Sequence, residues 1–140
     1  MKPLLTDLQE KQSERLPMLL SKVWVFLSLN YILSDLLSNM EMSVIRGLFE
    51  GNIAGVPMTQ AFLLLAGVSL EIPILMVVLS TILPYKANRI MNIGAGILMI
   101  IYQLGSFFVG SDITLHYMFF SVLEIFGNAS IVVLAFRWKR

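Results

Sequence analysis

The chain has 140 residues, 57% of them hydrophobic and only 14% charged, so it is far more apolar than a soluble domain, and lipid is the solvent its composition demands. The formal net charge is +1 and there are no cysteines, which excludes disulfides, thiolate nucleophiles and cysteine-ligated metal or iron–sulfur chemistry. The single histidine, His116, excludes bis-histidine haem and a multi-histidine metal site within one subunit.

In chain order, residues 1 to 16 are polar with spaced leucines (Leu4, Leu5, Leu8, Leu16), and Thr6 with Gln9 resembles a capping box. A short N-terminal amphipathic helix, cytoplasmic or interfacial, is expected there. Four apolar stretches then reach the ~20 residues needed to cross a ~30 Å hydrocarbon core. They lie near 18–37, 59–83, 90–109 and 115–136, within a single transmembrane domain covering 1–140. The first is expected to be retained rather than cleaved as a signal peptide, because Asp7, Glu10 and Glu14 precede it and no small-x-small site follows.

The longest connection, Ser38 to Pro57, has Met42, Ile45, Leu48 and Phe49 at helical spacing, which predicts an interfacial amphipathic segment in the first external loop. The connections at Pro84–Asn88 and Gly110–Thr114 are short, making spans two, three and four antiparallel neighbours. Of the ten basic residues, all but Arg46 fall on one side of these spans, which predicts cytoplasmic termini and a cell (inner or plasma) membrane location. The expected fold class is therefore an all-α integral membrane four-helix bundle. Trp24, Tyr85, Tyr117 and Trp138 lie toward span ends, as interfacial aromatics do.

Glu71 lies about 18 Å of helical rise beyond Thr59, close to the middle of a bilayer, and Glu124 reaches nearly the same depth in the fourth span. A charge at a span centre costs roughly 2.5 to 3.5 kcal/mol on insertion scales and normally faces a bundle interior. Two carboxyls at one level predict a site in which at least one is protonated and which binds a proton or a cation.

Helical spacing groups Tyr117, Ser121, Glu124 and Asn128 on span four, and Gln60, Gly67 and Glu71 on span two. Span three offers Asn92, Gly96, Met99 and Gln103, and span one Trp24, Ser28, Tyr31 and Asp35. These stripes predict a polar seam whose ligand- or proton-binding residues are Glu71, Glu124, Asn128, Ser121, Gln103 and Tyr31. Asp35 and His116 fall near the external end, where interfacial solvation accounts for them and an entrance relay or ion pair is the alternative. Pro73 removes an N–H and frees the Ser69 carbonyl one turn earlier, which predicts a kink beside Glu71. Arg89 and Asn92 are read as headgroup contacts or caps, and Gly94-Ala95-Gly96 as a close helix approach.

The stretches Glu71-Ile72-Pro73-Ile74, Leu83-Pro84-Tyr85-Lys86-Ala87-Asn88-Arg89 with Asn92, and His116-Tyr117 ahead of Glu124 resemble an uncharacterised bacterial family of short four-span membrane proteins, loosely similar to the DoxX-like group. The resemblance covers most of residues 18 to 137 and implies the four-span fold without an assigned reaction. Relatives in the DoxX-like group connect with quinone-linked redox and with assembly of other membrane proteins, which is an analogy of fold.

Three functions are compatible with these residues. The first is binding or proton-coupled transport of a small amphipathic or cationic molecule at the midplane carboxylates. A transport path needs more than four helices, so this reading implies a homo-oligomer. The second is a non-catalytic accessory or assembly protein, and the third a quinone- or lipid-linked membrane enzyme with Glu71 or Glu124 as proton donor. No catalytic residue, cofactor, metal or nucleic-acid partner is expected. Membrane lipid and a small lipophilic or cationic ligand are the expected partners.

Overall fold

The computed structural model describes residues 2–53, 55–108 and 113–138, with backbone alone for 2–10 and 12. The expected N-terminal side-chain contacts of Thr6 and Gln9, and most of the Gly110–Thr114 connection, lie outside the described residues. Five helices and one small hairpin follow one another: α1 (Lys2–Ser38), α2 (Met42–Phe49), β1 (Asn52–Ile53), β2 (Val56–Pro57), α3 (Gln60–Ile82), α4 (Tyr85–Ser106) and α5 (Leu115–Arg137).

Three segments are long and apolar enough to cross a membrane: Ser13–Ser38 within α1, α3 and α5. Helix α4 is comparable in length to α3 and α5, but its sequence includes Lys86, Arg89, Asn88, Asn92 and Gln103. Its apolar character is diluted by the two basic residues near its start and by the three amides, which are buried in the bundle interior. Around the bundle α3 packs on α1, α1 on α5 and α5 on α4, while α3 and α4 meet less extensively.

The expected separate N-terminal helix is instead the first part of α1, which continues through Pro17 into the apolar segment. A proline removes one backbone hydrogen bond without obliging a helix to stop when the flanking turns are held by packing. Leu20, Trp24 and Leu27, just beyond it, are fully buried and supply that packing.

Helix α2 forms where the amphipathic spacing predicts it, with Met42 and Phe49 exposed. The hairpin behind it pairs Asn52 with Pro57 and Ile53 with Val56. Gly51 and Gly55 flank its strands at φ +76° and +81°, the left-handed region that glycine enters without strain.

The two ends of the bundle are tied differently. At one end the Trp138 indole N–H donates to Ser13 Oγ at 3.0 Å and the Tyr85 hydroxyl donates to the Trp138 carbonyl at 2.8 Å. These bonds gather the start of the apolar part of α1, the α3–α4 turn and the end of α5. At the other end His116 Nε2 lies 3.4 Å from Glu41 Oε1, joining the start of α5 to the start of α2.

Close approach between α4 and α5 depends on Gly96. A Cβ there would lie 2.8 Å from Val132 Cγ2 and 3.3 Å from the Asn128 carbonyl oxygen, whereas one at Gly94 would meet nothing within 4 Å. Gly96→Leu is therefore expected to destabilise the bundle by about 1–3 kcal/mol through overpacking. Gly94→Ala is expected to be neutral or slightly stabilising through helix propensity. Denaturant unfolding in detergent, followed by the fluorescence of buried Trp24, measures both.

Candidate functional site

Two polar clusters occupy the interior, and they differ in how completely they are bonded. The one nearer the end gathered by Ser13, Tyr85 and Trp138, called the inner cluster, is centred on Asn92 of α4. Its Oδ1 accepts from the Trp24 indole N–H at 2.7 Å and from Ser80 Oγ at 3.2 Å, and its Nδ2 donates to Asn88 Oδ1 at 2.7 Å and to the Asn88 carbonyl at 2.9 Å. Asn88 Nδ2 in turn donates to the Ser80 carbonyl at 2.6 Å. Every heteroatom of the two amides is engaged, so this cluster is a finished lock between α1, α3 and α4.

The expected roles of Trp24 and Asn92 are corrected here. Trp24 is fully buried rather than interfacial, and Asn92 is the hub of the lock rather than a headgroup contact. Both follow from hydrogen bonding in a dry interior: an indole N–H needs an acceptor and a carboxamide supplies one. Arg89 caps α5, its Nε and Nη2 donating to the carbonyls of Ala135 and Phe136 at 3.2 and 3.0 Å.

The outer cluster is built on α5 and contains most of the residues expected in the seam. Ser121, Glu124 and Asn128 are 1%, 1% and 0% exposed and recur on one helix face. Gln103 Nε2 donates to Ser121 Oγ at 2.7 Å, and Ser121 Oγ donates to the Tyr117 carbonyl at 2.7 Å. Asn128 Nδ2 donates both to the Tyr31 hydroxyl oxygen and to the Glu124 carbonyl, each at 2.8 Å. The Tyr31 oxygen thus acts as acceptor and keeps its own proton to donate. Tyr117 and Ser106 share a further hydroxyl–hydroxyl bond.

Two acceptors in this cluster are buried with no hydrogen-bond partner among the described residues: Glu124 Oε1 and Asn128 Oδ1. They belong to residues one helical turn apart. Unlike the Asn92 lock, this cluster leaves two of its acceptors unbonded among the described residues.

Glu71 is not part of it. The expected carboxylate pair with Glu124 is corrected: Glu71 is exposed on α3, and Gln60 and Gly67 of the same stripe are exposed with it. The buried face of α3 is Ser69, Pro73, Met76 and Ser80, spaced just as regularly. Pro73 therefore lies on the inward face while Glu71 lies on the outward one, and the freed Ser69 carbonyl is not beside that acid.

The acid within electrostatic reach of Glu124 is Asp35, with Tyr31 and Tyr102 also near it. Asp35 lies one turn beyond Tyr31, toward the C-terminal end of α1, and is itself exposed. The alternative of an Asp35–His116 relay or ion pair is also altered: His116 stands against Glu41 and, through Nδ1, within 3.2 Å of Thr114 Oγ1. Thus Tyr31, Gln103, Ser121, Glu124 and Asn128 are brought together, Asp35 borders them, and Glu71 and His116 belong elsewhere.

Fold and site define an all-helical bundle with three helices able to cross a membrane and an interior polar cluster that leaves two acceptors unbonded among the described residues. The chain belongs to the family described as "Family of unknown function (DUF6326)", whose model matches residues 7–140. It matches no curated protein and no solved structure.

Burying an acceptor without a partner costs on the order of 1–3 kcal/mol. Glu124→Met removes that cost while filling similar space, and is expected to raise the unfolding midpoint in detergent. Asn92→Leu strands the Trp24 and Ser80 donors together with Asn88 Oδ1, and is expected to lower it. A fall in the midpoint of Glu124→Met would identify Glu124 as structural adhesive.

Proposed function

We propose that the cluster around Glu124 is a cation- and proton-binding site within a four-crossing membrane bundle, and that exchange of the two at Glu124 drives binding or transport of a small cationic or amphipathic molecule. The observation that carries this reading is the pair of buried, unbonded acceptors, Glu124 Oε1 and Asn128 Oδ1. A carboxylate oxygen and an amide oxygen that accept no hydrogen bond are complementary to a group that brings positive charge or N–H and O–H protons.

The neighbours fit that role. Tyr31 and Asn128 form a hydrogen-bonded wall from α1 to α5, and Asp35, at the exposed outer end, supplies a second acid on the route from water. Side chains fill the surrounding interior closely: a Cβ at Gly127 would lie 2.6 Å from Leu27 Cδ2. A proton or compact cation enters such a site directly, and a bulkier guest enters when the helices part.

The crossing number belongs to the same proposal. Helix α4 returns antiparallel along α5 after the short Leu83–Pro84 turn, and the Ser13, Tyr85 and Trp138 contacts put the start of the apolar part of α1 and the end of α5 at one end of the bundle. If α1, α3 and α5 cross, α4 must return, which gives four crossings. The concentration of basic residues at that end supports cytoplasmic termini in a cell membrane. The likeness to the DoxX-like group adds no activity to this reading.

Because a cation and a proton compete for one carboxylate, cation affinity is expected to fall as pH is lowered. Tetraphenylphosphonium binding to the purified protein in nanodiscs tests this. Wild type and Glu71→Gln should show proton-competed binding, while Glu124→Gln, which keeps size and hydrogen bonding but cannot ionise, should lose the competition. Retention of proton-competed binding by Glu124→Gln would overturn the site. For the crossings, single cysteines at Lys86 and Leu115, exposed at the start of α4 and of α5, should label from opposite sides of the membrane; labelling from the same side would overturn the four-crossing arrangement.

A further inference from the structure

The outward face of α3 carries a group that hydrocarbon does not accommodate. Glu71 is exposed near the middle of the 23-residue α3, one turn from exposed Gly67, around which a Cβ would meet nothing within 4 Å. The exposed face of α5, in contrast, presents Met118, Val122, Phe126 and Val133. An acid near a span centre is costly when it faces lipid and becomes tolerable when another helix covers it. Close approach over a small residue is the usual geometry of such cover.

The chemistry of the face selects the occupant. Among the described residues no Lys or Arg forms an ion pair with Glu71, and Lys22 lies deeper toward the inner end, beside Ser21, whose hydroxyl bonds the Val77 carbonyl. A carboxyl in its neutral form carries one donor and one acceptor, so a second carboxyl at the same depth satisfies it completely. An identical chain related by a two-fold axis along the membrane normal presents one at that depth, and an isologous contact uses the same patch on both copies. We propose that the α3 face bearing Gly67 and Glu71 is the interface between two copies of this chain, with their Glu71 carboxyls hydrogen-bonded to one another inside the membrane. Gly67 lets the two helices approach closely enough for the short carboxyl side chains to meet. The interface is separate from the Glu124 cluster and does not depend on what that cluster binds.

The chain has no native cysteine, so single substitutions report contacts directly. Leu64→Cys and Val78→Cys lie one heptad to either side of Glu71 on the same face, and Phe126→Cys lies on the exposed face of α5. With copper phenanthroline in native membranes, the two α3 variants are expected to form disulfide-linked dimers and Phe126→Cys to remain monomeric. Adding Glu71→Leu to either α3 variant should weaken dimerisation roughly tenfold in lipid-dilution series, while Glu71→Gln should preserve it. Leucine is compatible with lipid, and a wild-type circular dichroism spectrum verifies that the Glu71→Leu chain is folded. Absence of dimers from both α3 variants, equal yield from Phe126→Cys, an unchanged yield in the Glu71→Leu background, or adducts with a different protein would each overturn the proposal.

Discussion

The hydrogen bond from the Trp24 indole to Asn92 Oδ1, 2.7 Å across the bundle between α1 and α4, fixes the register from which the remaining contacts follow. An interior without water requires each buried donor and acceptor to find a partner within the protein. Asn92 meets that requirement for α1, α3 and α4 together, since Trp24, Ser80 and Asn88 all bond to it. With the inner half closed in this way, Tyr31 is carried to the level of Asn128 two turns farther along α1. The geometry of the outer cluster is thus set by the lock beneath it.

The contrast between the two clusters separates adhesion from binding. Both are buried and polar, yet the amides of one are fully bonded and the other retains two acceptors without a partner among the described residues. A bundle held together only by polar contacts gains nothing from a carboxyl at Glu124, because Ser, Thr or Asn would cost less to bury. On the proposed reading, the two unbonded acceptors make the outer cluster the place for a guest, while the fully bonded inner cluster belongs to the scaffold. Gly96 belongs to the scaffold as well, because it lets α4 approach the Asn128 carbonyl closely.

Much of this was legible in the sequence. Apolar length located α3 and α5 within a residue or two, and the 3.6-residue period chose the inward stripes of α1, α4 and α5 with one exception, Asp35. Helix α3 was misread for an identifiable reason. Its two faces, Gln60–Gly67–Glu71 and Ser69–Pro73–Met76–Ser80, have equally regular spacing, and the cost of a charge in lipid favoured turning Glu71 inward. That cost is borne elsewhere when a helix face is covered from outside the chain, which a single sequence does not reveal. Trp24 was misplaced because position along a span suggests an interfacial tryptophan, whereas its partner Asn92 lies 68 residues away in sequence. The continuity of α1 through Pro17 reflects packing by Leu20 and Trp24, a tertiary effect that overrides the local propensity to break.

What matters most is whether the Glu124 carboxyl changes state when a cation arrives. Infrared difference spectroscopy on the protein in lipid, with and without a cation at fixed pH, observes that carboxyl directly, and Glu124→Gln assigns the band. Loss of a protonated-carboxyl band on cation addition, present in wild type and missing in Glu124→Gln, is the predicted result. A carboxyl spectrum that is the same with and without the cation, or a change that persists in Glu124→Gln, would contradict the account.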